Sequence, residues 1–325
     1  MPQPNVASVH VNAPLTMVSI AYIQEAEGFI SSQVFPEVPV MKQSNIYWKY
    51  TKNYWFSDEA RLRKPGTESA GSGYEVDSTN TYHCYPYSFH KDIPDDVRGN
   101  ADMGINVDRD ATALVTQKLL IKKERIWATN YFTTSVWAKD YTGVASSPST
   151  DQFTQWNDYT NSDPITDIET GRIYILSITG KMANKLVLGV EVFSKLKNHP
   201  DIVDRKKYTS GNSITKEILA NLFEVKKVIV GYAIYATNDE GGTEAYSFIN
   251  GKAALLVYAA EAPSLLEASG GYTFTWKALS PLGTAAAIKT FRMEHLEADR
   301  VEGKYAFDMK LTASDCGVYF ATAVA

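Results

Sequence analysis

The spacing of apolar positions changes character along the chain. From 46 to 56, IYWKYTKNYWF alternates, with Ile46, Trp48, Tyr50, Tyr54 and Phe56 on one face and Tyr47, Lys49, Thr51 and Asn53 on the other, which predicts a strand. A polar Gly/Ser-rich stretch from Ser57 to Asn80 predicts a loop or ribbon tip. Alternation resumes in TYHCYPYSFHKDI (81–93), with Tyr85, Tyr87 and Phe89 together. Two aromatic strands around a polar tip predict a long β-ribbon. An isolated ribbon is marginal in water, so it is expected to lie on another surface. Residues 106–132 then run without Pro or Gly, and Asp108 and Asp110 suit the positive end of a helix. A helix of that length is a rod of roughly 40 Å. Its period predicts one buried stripe of Ala113, Leu120, Trp127 and Tyr131 and a second of Leu114, Ile121, Ala128 and Phe132. Lys118, Lys122 and Arg125 fall on the opposite side.

Ahead of the ribbon, TMVSIAYIQEAEGF predicts a short helix stopped near Gly28. VFPEVPV (34–40) alternates but holds Pro36 and Pro39, which excludes a central strand and predicts a stiff extended segment lying along something else. A Ser/Thr/Asp-rich connector at 139–162 is the expected boundary. Beyond it helices and strands alternate. Asp163–Pro164 predicts an N-cap with proline at the first helical position, opening a helix that stops at Gly180. KLVLG predicts a strand and VEVFSKLKNH a helix that ends before Pro200. SITKEILANLF predicts a helix capped by Ser213, and VKKVIVGYAIYA a strand. Further strands are expected at 253–260, 271–277, 285–294, 304–312 and 317–323.

Composition narrows the classes. The chain has 325 residues, 44% hydrophobic and 21% charged, as in a packed globular protein. A net charge of −5 gives no whole-chain basic field for a dedicated DNA-binding protein. No apolar run nears the ~20 residues of a membrane span, and the N-terminus has no secretory pattern. Cys84 and Cys316 form neither a disulfide framework nor a metal spacing and read as two buried thiols. The aromatic content (20 Tyr, 13 Phe, 6 Trp) suits burial against other copies of the chain.

Chemistry is sparse. Nucleophile-elbow, zincin, C-x-x-C and Walker patterns are all missing. Gly251–Lys252 lacks the earlier glycine of a phosphate loop, and GSG at 71–73 is too short for a dinucleotide fingerprint. His83 and His90 fall on opposite faces of a strand. Asp92, Asp95 and Asp96 surround Pro94 and read as a turn, and EHLEADR (294–300) as a charged turn left to solvent. Neither an enzyme activity nor a cofactor is expected. Lys118, Lys122 and Arg125 read either as a solvated helix face or as a contact for polyanions.

The order of these parts resembles the major capsid protein of tailed bacteriophages, the Hong Kong ninety-seven-type fold shared with encapsulins and herpesvirus capsid floors. FISSQVFPEVPV is similar to the entry of that family's N-terminal arm. The ribbon resembles its E-loop, and 106–132 its spine helix. NKLVLGVEVFSKLKNHPDIVDRKKY followed by ITKEILANLFEVKKVIVGYAIY resembles its axial domain, and VEGKYAFDMKLTASDCGVYF its closing strands. The resemblance implies an α+β fold in five parts: an N-terminal arm (1–43), an extended β-ribbon (44–103), a peripheral domain with spine helix and connector (104–162), an axial domain (163–284), and C-terminal strands returning to the peripheral domain (285–325).

It also implies a structural protein of the virion, assembled in the host bacterial cytoplasm into hexamers and pentamers of an icosahedral shell around double-stranded DNA. A separate scaffolding protein, a portal protein and a decoration protein are the implied partners, with no membrane. The stripe Lys118, Lys122 and Arg125 is then expected to face the DNA or scaffold. Trp48, Tyr50, Tyr85 and Tyr87 are expected on an intersubunit surface of a ribbon without an intrachain partner. Residues 1–33 are expected to tether neighbours without supporting the core. Lys52 and Lys64 lie in the ribbon, but no matching asparagine and glutamate support a crosslink. The rival readings are an encapsulin-like compartment and a β-rich carbohydrate-binding or hydrolytic protein.

Overall fold

The computed structural model describes residues 24–101, 106–207, 214–238, 241–262, 267–279 and 287–325. Two sheets organise them. In the five-stranded sheet, Ala298–Leu311 is the central strand. It pairs antiparallel with Tyr85–Pro94 along one side and with Ala287–Met293 and then Gly271–Trp276 along the other. Glu37–Val40 adds at the edge, parallel to Gly271–Trp276. The proline-bearing segment is thus an edge strand. Thr273 N donates to Pro36 O (3.0 Å) and Lys277 N to Val40 O (3.0 Å), so even-numbered residues face the ladder. Pro36 supplies only its carbonyl there, and the nitrogen of Pro39 points to the open side, where no N–H is needed.

The six-stranded sheet runs Lys227–Gly231, Lys185–Gly189, Ala254–Val257, Gly317–Ala321, Lys139–Val144, Gln152–Thr154. Alternate residues of its strands feed opposite faces. Leu186, Leu188, Val230, Leu256, Val318 and Phe320 pack on Ile168 and Ile175 of helix Pro164–Thr179, Leu196 of Val190–Lys197 and Leu219 of Lys216–Leu222. Val187, Ile229, Leu255, Val257 and Tyr319 pack on Trp127, Ala128 and Phe132 of the long helix and on Ile30, Val34 and Phe35.

Several elements form where expected. Asp163 caps helix Pro164–Thr179 by accepting from Ile165 N and Thr166 N, and Gly180 ends it at φ 65°, a left-handed conformation that suits glycine. The long helix spans Val107–Tyr131, capped by the Asn106 side chain, which accepts from Arg109 N. It lies across Ala298–Leu311 and Tyr85–Pro94. Gly303 permits that approach, since a Cβ there would stand 2.6 Å from Val115 Cγ1.

Other elements differ. The buried face of the long helix is Ala111, Val115, Leu119, Lys123, Glu124, Trp127 and Ala128, which meets the two predicted stripes only at their C-terminal ends, where Trp127, Ala128 and Phe132 are buried. Leu114 is exposed, whereas Val115 and Leu119 meet the sheet where Gly303 leaves room. The alternation of 46–56 yields only Ser44–Ile46 and Lys49–Tyr50, and Asn53–Phe56 makes a single helical turn. That turn swings Trp55 back onto Tyr50 and Tyr74, with ring centroids 6.0 Å apart in each case.

The connector supplies two strands of the six-stranded sheet. Gly317–Ala321 pairs between Ala254–Val257 and Lys139–Val144 instead of joining the other C-terminal strands, whereas Gly271–Trp276, expected in the axial part, joins them. Sheet partnership therefore cuts across boundaries drawn in sequence order. Thr215 caps Lys216–Leu222 through Ile218 N, and Ser213 lies outside the described residues. Most of TMVSIAYIQEAEGF also lies outside them; its end, Ala26–Gly28, is a 3-10 turn.

Candidate assembly surfaces

The arm enters the body through a buried polar cluster on the inner face of the long helix. Lys123 there forms an ion pair with Glu37 of the edge strand, both almost wholly buried. Its Nζ also donates to Ser32 Oγ (2.7 Å) and Tyr305 OH (3.1 Å). Next to it Glu124, fully buried, accepts from Ser31 N (2.9 Å) and Asn250 Nδ2 (3.3 Å). Burial pushes the Glu124 carboxyl up, against these hydrogen bonds, which favour its ionised form. Ser31–Val34, a one-turn helix, thus has its first N–H groups covered by a carboxylate from another element. Ile30, Val34 and Phe35 fill the core beside it. Phe35 meets Trp127 edge-on (6.2 Å), with Tyr131 at 4.9 Å. The expectation that the core does not depend on residues up to 33 fails here: the junction at 29–35 is core. Sequence reading missed Lys123 and Glu124 because charges normally mark the solvated side of a helix; a clue was Glu37, a lone acid in an apolar stretch.

The ribbon is real but shorter than its pattern. Ser44–Ile46 pairs with Thr81–His83, and Lys49–Tyr50 with Val76–Asp77. Tyr85–Pro94 instead belongs to the five-stranded sheet. Within the chain the ribbon's base does have a partner. Tyr82 stacks on Phe274 (4.5 Å, 11° between planes), with Tyr47 at 5.5 Å from the same ring. Of the four residues expected on an intersubunit surface, Trp48 (61% exposed), Tyr50 and Tyr85 are open to solvent, while Tyr87 is half-buried and stacks on Phe307 at 4.9 Å. Trp55 and Phe56, at 55% and 62%, extend the open aromatic surface. Between ribbon and body lies a groove of about 1120 Å³, lined by Trp48, Tyr50, Trp55, Phe56, Tyr272 and Leu311 among others. A Lys52–Asp315 ion pair ties the ribbon across its mouth.

Lys118, Lys122 and Arg125 are exposed on one side of the long helix, as its period requires. Arg125 is committed within the chain, stacked over the Tyr235 ring at 4.3 Å. Lys118 and Lys122 form no ion pair among the described residues.

The charged turn is exposed at 294–297, as expected, but arginines on its flanks tie it to the acidic turn at 92–96. Arg300 grips Asp92 in a two-bond fork (2.7 and 2.8 Å), and Arg292 grips Asp95 likewise (2.6 and 2.6 Å). Arg98 joins Asp299 to Asp108. This belt fastens the hairpin Ala287–Leu311 to the start of the long helix and holds both carboxyls, Asp92 and Asp95, below their usual range. Cys84 and Cys316 are buried free thiols, pushed up by burial to about 12 and about 11, which leaves them unreactive.

With two packed sheets, a long helix between them and an aromatic ribbon outside, solved structures can be compared over nearly the whole chain. A phage-related protein from Bordetella bronchiseptica matches with TM-score 0.70 and 21% identity, covering 92% of this chain and 94% of its own. The capsid of cyanophage P-SCSP1u matches with TM-score 0.57 and 10% identity over 94% and 90%. The fold is that of tailed-phage capsid proteins and encapsulins. An encapsulin from Synechococcus elongatus shares it with TM-score 0.58 and 9% identity over 99% and 96%. In sequence, the major capsid protein of Burkholderia phage BcepMu is 27% identical over 240 residues, 72% of this chain and 73% of that protein. No family model matches the chain.

Proposed function

We propose that this chain is the major capsid protein of a tailed bacteriophage, a structural protein whose copies assemble into hexamers and pentamers of an icosahedral shell enclosing double-stranded DNA. The observation that carries the reading is the sequence relationship to the BcepMu major capsid protein, running through most of both chains. The capsid fold supports it, as does an exposed aromatic ribbon of a kind that one subunit cannot bury alone. The shell interior receives Lys118 and Lys122 as a sequence-independent phosphate or scaffold contact. Trp48, Tyr50 and Tyr85 meet neighbouring copies, and Tyr87 braces the ribbon's root from within. A separate scaffolding protein, a portal, a decoration protein and assembly in the host bacterial cytoplasm complete the reading. The role is mechanical rather than enzymatic.

Likeness to an encapsulin over 99% of the chain favours a second reading, a protein compartment with protein cargo. Electron microscopy of the purified protein, produced alone and with a candidate scaffolding protein, tests both. Closed icosahedral shells that take up DNA are expected; shells that instead enclose a cargo enzyme support the second reading, and a chain that stays monomeric at high concentration refutes both.

A further inference from the structure

A second cavity, of about 180 Å³, lies where helices Pro164–Thr179 and Pro200–Lys207 meet the end of Lys216–Leu222. Its floor is apolar, made by Ile165, Ile168, Leu222 and Phe223. Two arginines line it as well: Arg172, whose side chain is only 9% exposed, and Arg205, which is exposed and forms no ion pair among the described residues. Arg172 is only half used. Its Nη2 pairs with Glu224 Oε2 (2.9 Å), while its buried Nε–H has no partner among the described residues. Nε and Nη2 are the two parallel donors with which a guanidinium grips a carboxylate in a fork. Glu224 closes one side of that fork, and a buried donor left unmet is costly. Glu224 is itself awkwardly placed. It stands at φ 50°, left-handed backbone, in the turn that ends Lys216–Leu222, where Val225 N donates to Ala220 O (2.9 Å) and Glu224 N to Asn221 O (3.2 Å). Glycine is the usual residue at that point. The Glu224 side chain, 72% exposed, stays largely in water.

We infer that this cavity is a binding site for a carboxylate on a short aliphatic body, its charge forked on Arg172 with Arg205 beside it and its carbons on the apolar floor. Glu224 is the internal stand-in that such a ligand displaces. Size selects the body: a cavity of about 150 Å³ takes a benzene ring, so this one has room for about six non-hydrogen atoms. Charge alone does not make the site, because Glu169 also stands on the rim and Asp163 lies in the field of Arg205. An inorganic anion, with nothing to lay on the floor, therefore gains less. A free acid and an acidic side chain of a second copy offer the same group, and protein concentration separates the two sources. The inference does not depend on the capsid reading.

Titration of the isotope-labelled full chain with sodium butyrate at neutral pH, read at the Arg172 Nε–H resonance, tests it. With the protein dilute, the resonance is expected to move with a dissociation constant on the order of 1 mM, the range for a good ligand of about six non-hydrogen atoms. Neutral butyramide should leave it in place, and inorganic phosphate should bind about tenfold more weakly, for want of an apolar body. Glu224→Gly suits the left-handed turn and removes the stand-in, so it should fold and bind butyrate about threefold more tightly. Arg205→Gln, an exposed change, should weaken binding by about the same factor. Movement on concentrating the protein without butyrate also supports the site and assigns the carboxylate to a second copy. A resonance that butyrate leaves unmoved in both the parent and Glu224→Gly overturns the inference. An equal response to butyramide means an apolar cavity only, and an equal response to phosphate an adventitious ion only; either result overturns it too.

Discussion

Lys123 and Glu37 show how little a residue's type reveals of its place. Both are nearly excluded from water, and each charge is tolerable only because of the other. Lys123→Met should cost about 3–5 kcal/mol by leaving Glu37 buried and uncompensated, whereas Lys123→Met/Glu37→Met should recover most of the loss. Urea unfolding of the free subunit measures both. A pH effect follows from Asp167, which accepts from Trp156 Nε1 (2.9 Å) and whose carboxyl burial raises to about 6. Because the folded value lies above the unfolded one, the stability that Asp167 contributes is fully present below about pH 4 and lost as pH rises through about 6. Asp167→Asn keeps an acceptor for Trp156 and removes the titration. Its stability should match the parent near pH 4 and exceed it at pH 7, as thermal melts at both values would register. These sites were illegible in the sequence because burial of a charge depends on which distant residue arrives beside it. The solvated positions Lys118 and Lys122, set by helical period alone, were legible.

Elements with a chemical start and stop were read well, such as helix Pro164–Thr179 between Asp163 and Gly180. Elements defined by alternation alone were not. IYWKYTKNYWF has a strand's period, yet packing of Trp55 on Tyr50 and Tyr74 outweighs it, and the second half coils into a helical turn. VFPEVPV was read correctly as extended and non-central, but its partner strand Gly271–Trp276, more than 230 residues away, left no local mark. That long-range pairing makes the arm junction part of the fold. A chain beginning at Gln24 should melt like the parent, whereas one beginning at Pro36 loses Ile30, Val34 and Phe35 from the core and should not fold. Phe35→Ala alone should cost about 3–5 kcal/mol, the range for truncating a buried aromatic. Equal stability of the two truncations would mean that the arm is not anchored where its side chains are buried.

At the scale of the whole molecule, charge is sorted by what meets it. Asp92, Asp95 and Asp299 are neutralised by arginines of the chain itself, and Arg125 is taken up by Tyr235. Lys118 and Lys122 are left as neighbouring cations one turn apart on a rigid helix, and the net charge of −5 gives them no general surplus to share. A carboxylate on a neighbouring copy would pair with them for at most about 1 kcal/mol per exposed contact. A phosphate backbone or an acidic scaffold would engage both together, with counterion release adding to the gain. The two cases separate in the Lys118→Gln/Lys122→Gln variant, which spares Arg125 because that residue already has a structural task. If the lysines face the shell's contents, hexamers and closed shells form as in the parent. Scaffold retention or DNA content then falls, and the remaining DNA affinity declines less steeply with salt, the log–log slope flattening by about one for each lost phosphate contact. If the variant fails at the hexamer instead, the lysines belong to a subunit interface, and the inward assignment of this helix face is wrong.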